Sequence, residues 1–179
     1  MLLQKIPGLE RFQYLNLGVT LYQAAFNGNW QVAKDLHSVY PDIVRAPITE
    51  GRETALHIAA AANHPNFVNE LLKLMNREDL ELKNQHGQTA LHFAVASGNV
   101  IIAKEMVEKN GNLTLIRYEG MNNALCMAAL LGRREMMSFL FRNTPFDALS
   151  RDERIELLLA TISNDLYGMS HFSMMLSLS

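Results

Sequence analysis

Three residues in this chain of 179 most invite a metal or catalytic reading: His57, His92 and Cys126. Two imidazoles could share a zinc ion, and a thiol beside an imidazole could act as a nucleophile with its base. Their spacing argues against both. His57 and His92 occupy the same place in two copies of one pattern, Thr54-Ala-Leu-His-Ile-Ala59 and Thr89-Ala-Leu-His-Phe-Ala94, and Cys126 occupies it in a third, Asn123-Ala-Leu-Cys-Met-Ala128. Equivalent side chains on stacked helices are separated by the helix spacing, about 8 to 10 Å, whereas the ligands of one zinc hold donor atoms about 2 Å from the metal. The expectation is no catalytic residue, no metal and no cofactor, with Cys126 a buried thiol acting as a small hydrophobe. No phosphate-cradling glycine loop, His-Glu-x-x-His helix or Gly-x-Ser-x-Gly elbow accompanies these residues.

The elements that carry them repeat. A weaker copy of the pattern stands at Val19-Thr-Leu-Tyr-Gln-Ala24, and the leucines Leu21, Leu56, Leu91 and Leu125 fall 35, 35 and 34 residues apart. A period of that length predicts stacked supersecondary units. Four residues after the last alanine of each copy stands Gly28, Asn63, Gly98 or Gly132, residue types that adopt positive φ where a helix ends. A second helix then follows, with apolar stripes such as Phe67, Val68, Leu71 and Leu72, or Ile101, Ile102, Met106 and Val107. Gly51, Gly87 and Gly120 punctuate the connections, which read as loops or small hairpins. The charges of Lys104, Glu105, Glu108 and Lys109 read as one wetted helix face.

These signals divide the chain into a lead-in at 1–17, units at 18–50, 51–86, 87–119 and 120–149, and an incomplete fifth unit with a divergent tail at 150–179. A fifth copy of the pattern begins at Ile155, where Leu157-Leu-Leu-Ala160 matches Leu125 to Ala128. From Gly168 the charge-free tail is read either as a crude cap or as a frayed end.

Composition excludes several functions. Hydrophobic residues make up 49% and charged residues 19%, enough for a packed core, and 16 basic against 18 acidic residues leave no footprint for nucleic acid. A single cysteine points to a reducing compartment, and Lys5 and Pro7 interrupt any signal-peptide core. The longest apolar stretch, Ala124 to Leu131, is far short of the ~20 residues that span a membrane.

The repeated Thr-Ala-Leu-His-x-Ala with its following turn resembles the ankyrin repeat, with alanine where that signature has proline. The implied fold is all-α, an ankyrin solenoid of stacked helix-turn-helix units joined by loops or short β-hairpins. The resemblance also implies that each histidine ties its own threonine to the neighbouring repeat. Glu78-Asp-Leu-Glu-Leu-Lys-Asn84, Met106-Val-Glu-Lys-Asn110, Glu119-Gly-Met121 and Arg154-Ile-Glu-Leu-Leu158 are similar to plant ankyrin proteins of the accelerated-cell-death and salt-tolerance type. Those relatives continue into a C-terminal membrane segment, so this chain is expected to be a truncated member or an alternative product, without a membrane span of its own.

The function implied is protein–protein interaction in plant stress or defence signalling. Its setting is the cytoplasm, including the cytosolic face of a membrane reached through partners. Ankyrin partners dock on loop tips and on the exposed ends of the first helices. Here the groove runs through Phe26-Asn27, Ala61-Ala62, Ala96-Ser97 and Leu130-Leu131, small in the middle and apolar at both ends. The partner-binding residues expected are Phe26, Arg52, Gln85, His86, Gln88, Tyr118, Met121, Leu130 and Leu131. Against this stands the possibility that the fifth unit covers Leu130 and Leu131. A regulatory fragment that pairs with full-length membrane-anchored relatives is the second functional reading, and an enzyme of unknown type a distant third.

Overall fold

A computed structural model describes residues 11–118 and 123–164 of the chain, with side chains from residue 16 onward. Alternation of short helices separated by obligate turns produces α1 (Arg11–Phe26), α2 (Trp30–Val39), α3 (Ala55–Ala61), α4 (Pro65–Leu74), α5 (Ala90–Ser97), α6 (Val100–Lys109), α7 (Ala124–Leu130), α8 (Arg134–Asn143) and α9 (Arg151–Ser163). The first helices stack in sequence, α1 on α3, α3 on α5, α5 on α7 and α7 on α9, while α2, α4, α6 and α8 form a second row behind them. Leu21, Leu56, Leu91 and Leu125 line up through one core, each no more than 1% exposed, and Leu157 of α9 continues the series.

The turns explain why the helices are short. Gly28, Asn63, Gly98 and Gly132 all have φ between 64 and 78°, the left-handed region in which a helix stops. At Gly28 a Cβ would also lie 2.7 Å from the His64 ring, so glycine is required there by space as well as by backbone. Each turn then serves the repeat before it. The His64 ring lies 2.8 Å from the Phe26 carbonyl, Ser97 donates to Ala60, Arg133 to Ala96 and Asn164 to Ala129. Carbonyls left open at the end of one first helix are thereby satisfied by the next repeat.

Short 3₁₀ turns at Pro41–Arg45, Glu78–Glu81, Gly111–Leu115 and Phe146–Ala148 lead back from the second helices, and no strand occurs among the described residues. The loops keep hairpin-like pairing: Ile48 donates to Glu53 and Asn84 to Gln88, and the Gln85 amide donates to the Gly51 carbonyl of the neighbouring loop at 2.8 Å. One feature departs from the glycine spacing. In the first of these loops the left-handed residue is Arg52, φ 66°, whereas in the next it is Gly87, φ 77°. Gly51 is displaced by one position from the place where glycine is needed.

Helix α9 begins at Arg151, where Ser150 and Glu153 form a capping box ahead of the motif copy at Ile155. Two other readings are corrected. Ile101 does not share the buried stripe of α6 and is 59% exposed. The charged face of α6 is more than wetted: the Lys109 ammonium donates to the Leu72 carbonyl, and the Lys104 ammonium lies 6.0 Å from the Phe139 ring centre. In the first repeat the Tyr22 and Phe26 rings stack, while Trp30 leaves them and meets Phe67 of the second repeat edge-on.

Candidate functional site

The residues with chemical potential are consumed by the stacking. Thr54 and His57 form a capping box at the start of α3. The Thr54 amide donates to His57 Nδ1 at 3.2 Å, which leaves the ring proton on Nε2, 3.1 Å from the Gln88 carbonyl of the next repeat. Thr89 and His92 repeat the box at the start of α5. Both rings are fully buried. Burial lowers each imidazole to a pKa of about 4, so both are neutral at pH 7. The neutral His57 ring, accepting at one nitrogen and donating at the other, bridges two repeats without placing a charge in the core, whereas His92 Nε2 is buried without a hydrogen-bond partner among the described residues.

Cys126 is in the same position one repeat later, and its S–H points to the Glu153 carbonyl at 3.8 Å. Burial, reinforced by the nearby carboxylates, pushes this thiol up to about 12, the opposite of what a nucleophile needs. Among the described residues no group of three His, Cys, Asp or Glu side chains is placed to hold a metal ion.

The fifth unit is held by an ion pair instead. Arg117 grips Glu153 with two nitrogens at 2.7 and 2.8 Å, Asn123 Nδ2 donates to the same carboxylate at 3.2 Å, and the Ser150 amide donates at 2.7 Å. The Arg117 guanidinium holds the Glu153 carboxyl below its usual range despite burial. Sequence reasoning missed this clamp. The two partners lie 36 residues apart, and nothing in either local pattern marks them as a pair.

The open surface lies along the ends of the first helices and the loop tips. Phe26 is 54% exposed, Leu130 50% and Leu131 49%, so α9 does not cover the two leucines. Between them Ala61 and Ala96 are exposed small residues. Arg52, Gln85 and His86 are exposed, the last two linked side chain to side chain at 3.1 Å. Gln88 and Tyr118 are half-buried and structural in part: Gln88 receives His57, and the Tyr118 ring meets the His92 ring edge-on with centres 4.9 Å apart. Met121 lies outside the described residues.

Two surface residues were missed. Leu159 and Ile162 of α9 are 57% and 43% exposed, and the match of Leu157–Ala160 to Leu125–Ala128 sets them opposite Met127 and Leu130. The signal was present in that match.

Comparison with known proteins agrees with this geometry. A family model for ankyrin repeats in three copies matches residues 21–116 and 56–152. The chain is 30% identical over 145 residues to a rice (Oryza sativa subsp. japonica) protein named "Probable E3 ubiquitin-protein ligase XBOS32", covering 75% of this chain and 29% of the relative. It is 31% identical over 123 residues to the Arabidopsis thaliana "E3 ubiquitin-protein ligase XBAT32", covering 69% and 24%. It is 36% identical over 67 residues to the Arabidopsis "Ankyrin repeat-containing protein ITN1", covering 37% and 11%. The chain thus spans less than a third of the length of these curated relatives. Among the described residues no helix is long and apolar enough to cross a membrane. The stacked helix pairs, the paired Thr–His caps and the family model together show that the chain belongs to the ankyrin repeat family.

Proposed function

We propose that this chain recognises a segment of a partner protein along its concave surface and performs no chemistry of its own. The observation that carries the reading is the combination of Leu130 and Leu131, half-exposed at one end of the groove, with small exposed Ala61 and Ala96 in its middle. Bulky apolar anchors carry most interface energy, and small residues between them let a partner backbone approach. Phe26 and Tyr118 supply further anchors, while Arg52, Gln85, His86, Gln88 and Met121 contribute polar and flexible contacts from the loop tips. The setting is plant stress or defence signalling at the cytosolic side, as the resemblance to salt-tolerance ankyrin proteins implies.

A second reading draws on the relatives. Two of them are named as ubiquitin ligases and are more than three times as long as the segment matched. In a protein of that kind, this module holds the protein to be ubiquitinated while other parts of the chain do the chemistry. The pairing with a full-length membrane-anchored relative is a special case of partner binding and predicts that such a relative co-purifies.

Affinity purification from plant extract with the wild-type chain and Leu131→Asp tests the groove. The substitution is expected to cost about 2 kcal/mol, roughly thirtyfold in affinity, with the melting profile unchanged because Leu131 lies at the surface. The same partners recovered at the same yield by a folded variant would sink the reading.

A further inference from the structure

The chain holds two Asn-Gly pairs, Asn27–Gly28 and Asn110–Gly111. Such a pair can close on itself, because glycine has no Cβ to shield its amide nitrogen from the side chain before it. The glycine nitrogen attacks the asparagine Cγ, the Cγ–Nδ2 bond breaks, and Nδ2 leaves as ammonia with the proton lost from the glycine nitrogen. Water then opens the cyclic imide at either carbonyl. Breaking the bond to Cγ gives aspartate; breaking the bond to the backbone carbonyl gives isoaspartate, in which the main chain runs through Cβ and Cγ. Water is the only co-reactant.

The fold treats the two pairs differently. Asn110 ends α6 and is 1% exposed. Its Nδ2 donates to the Arg77 carbonyl and to Glu81 Oε1, both at 2.9 Å, and its Oδ1 accepts from the Asn112 amide at 3.1 Å. These bonds fix the plane of the side-chain amide, and burial keeps water from it. Asn27 is exposed. Among the described residues its side chain makes one hydrogen bond, from Nδ2 to the Gln23 carbonyl at 2.8 Å on the surface of α1. The Gly28 amide reaches the Ala25 carbonyl at 3.4 Å, longer than the usual range, so the attacking nitrogen is loosely engaged.

The surroundings of Asn27 leave no room for a longer main chain. Gly28 holds φ 68° and lies so close to the His64 ring that a Cβ would be 2.7 Å from it. On the other side of Asn27, the Phe26 carbonyl meets the same ring at 2.8 Å. Isoaspartate inserts one extra main-chain carbon between these two contacts and places a carboxylate beside Phe26.

We propose that Asn27 converts spontaneously to isoaspartate in the folded protein while Asn110 is protected, and that the conversion unseats the turn between α1 and α2 from His64. The chemistry is independent of the groove reading above; only a loss of partner binding at Phe26 would rest on it. The full chain is aged in mildly alkaline buffer, with and without urea, and its peptides are followed by mass spectrometry and by methyl transfer from an isoaspartyl methyltransferase. In the folded chain the Asn27 peptide should convert mainly to isoaspartate, and the Asn110 peptide should convert at least about a hundredfold more slowly, because it waits for local opening. In urea the two should convert at similar rates. Asn27→Gln should abolish the first conversion. Amide hydrogen exchange at the turn and in α2 should accelerate in the aged chain. Asn27→Asp, which carries the charge without the extra main-chain atom, should exchange like the parent.

An Asn27 peptide that keeps its amide in the folded chain, over a time in which it converts in urea, would overturn the proposal. Equal conversion of Asn27 and Asn110 in the folded chain would do so too, since burial would then not choose between them. Conversion of Asn27 with unchanged hydrogen exchange would refute the unseating of the turn. Loss of partner binding in Leu131→Asp beside an unreactive Asn27 would leave the groove reading standing and remove this proposal alone.

Discussion

Two interfaces of the same stack solve one problem with different chemistry. Between the second and third repeats, His57 joins its own cap to the Gln88 carbonyl as a neutral ring. At the interface with the fifth unit the equivalent position is Cys126, whose S–H makes only a long contact to the Glu153 carbonyl at 3.8 Å, and the stronger link passes to the Arg117–Glu153 ion pair with Asn123 and Ser150. The first solution needs the side chain uncharged, the second needs it charged. The regularity of a repeat array thus lies in its backbone spacing, and the polar chemistry of each interface is free to change.

Acid should separate the two most strongly. Both histidines have folded pKa values lowered from the usual 6.5 to about 4. The unfolded chain takes up these protons first, so their contribution is complete above about pH 6.5 and is lost as pH falls towards 4. Two such groups weaken the fold by up to about 3 kcal/mol per pH unit in that window, and by about 3 kcal/mol in all between pH 6.5 and 5. The Glu153 carboxyl, held below its usual 4.5, keeps its contribution down to about that pH and loses it only below. Urea midpoints at pH 7 and 5 measure the loss, and residue-level hydrogen exchange should show α3 and α5 opening before α9. Equal stability at the two pH values would break the comparison.

Truncation sharpens it. His57→Ala leaves a cavity and an unmet carbonyl at Gln88, and should cost about 3 kcal/mol. Cys126→Ala removes one sulfur atom from an interface held by other groups, and should cost about 1 kcal/mol. Thermal or urea unfolding of the two variants at pH 7 decides, and comparable losses would mean that the thiol carries more than packing.

The smallest effect expected belongs to the loops. Arg52 stands in the left-handed region where Gly87 stands one repeat later. Arg52→Gly relieves the backbone cost of a Cβ there at some loss to chain entropy, and should stabilise by about 0.5 kcal/mol; Gly87→Ala should destabilise by about 1 kcal/mol. Unfolding midpoints in urea measure both. A stabilising Gly87→Ala would show that the loops tolerate either residue.

The fold was legible because its determinants are local and repeated. The spacing of Leu21, Leu56, Leu91 and Leu125 and the turn residues that follow each copy fixed helix pairs, order and core. The two paired histidines were also legible as structural, since equivalence of position rules out convergence on one metal. The start of α9 lies more than a turn ahead of the motif copy at Ile155, because the match to Leu125–Ala128 covers only its C-terminal half while Ser150 and Glu153 cap it earlier. The wetted face assigned to α6 failed because Lys109 finds the Leu72 carbonyl only once the second helices lie side by side.

On its own the sequence determined the period, the turns and most of the buried stripes of the second helices, since these depend on residue types within one 34- to 35-residue unit. Only the tertiary structure decided that Arg117 meets Glu153, that Leu130 and Leu131 stay open beside α9, and that Leu159 and Ile162 are open as well. Those pairings arise between units. Stacking brings together side chains that no local pattern couples, and the exposure of a residue is set by which neighbour lies next to it.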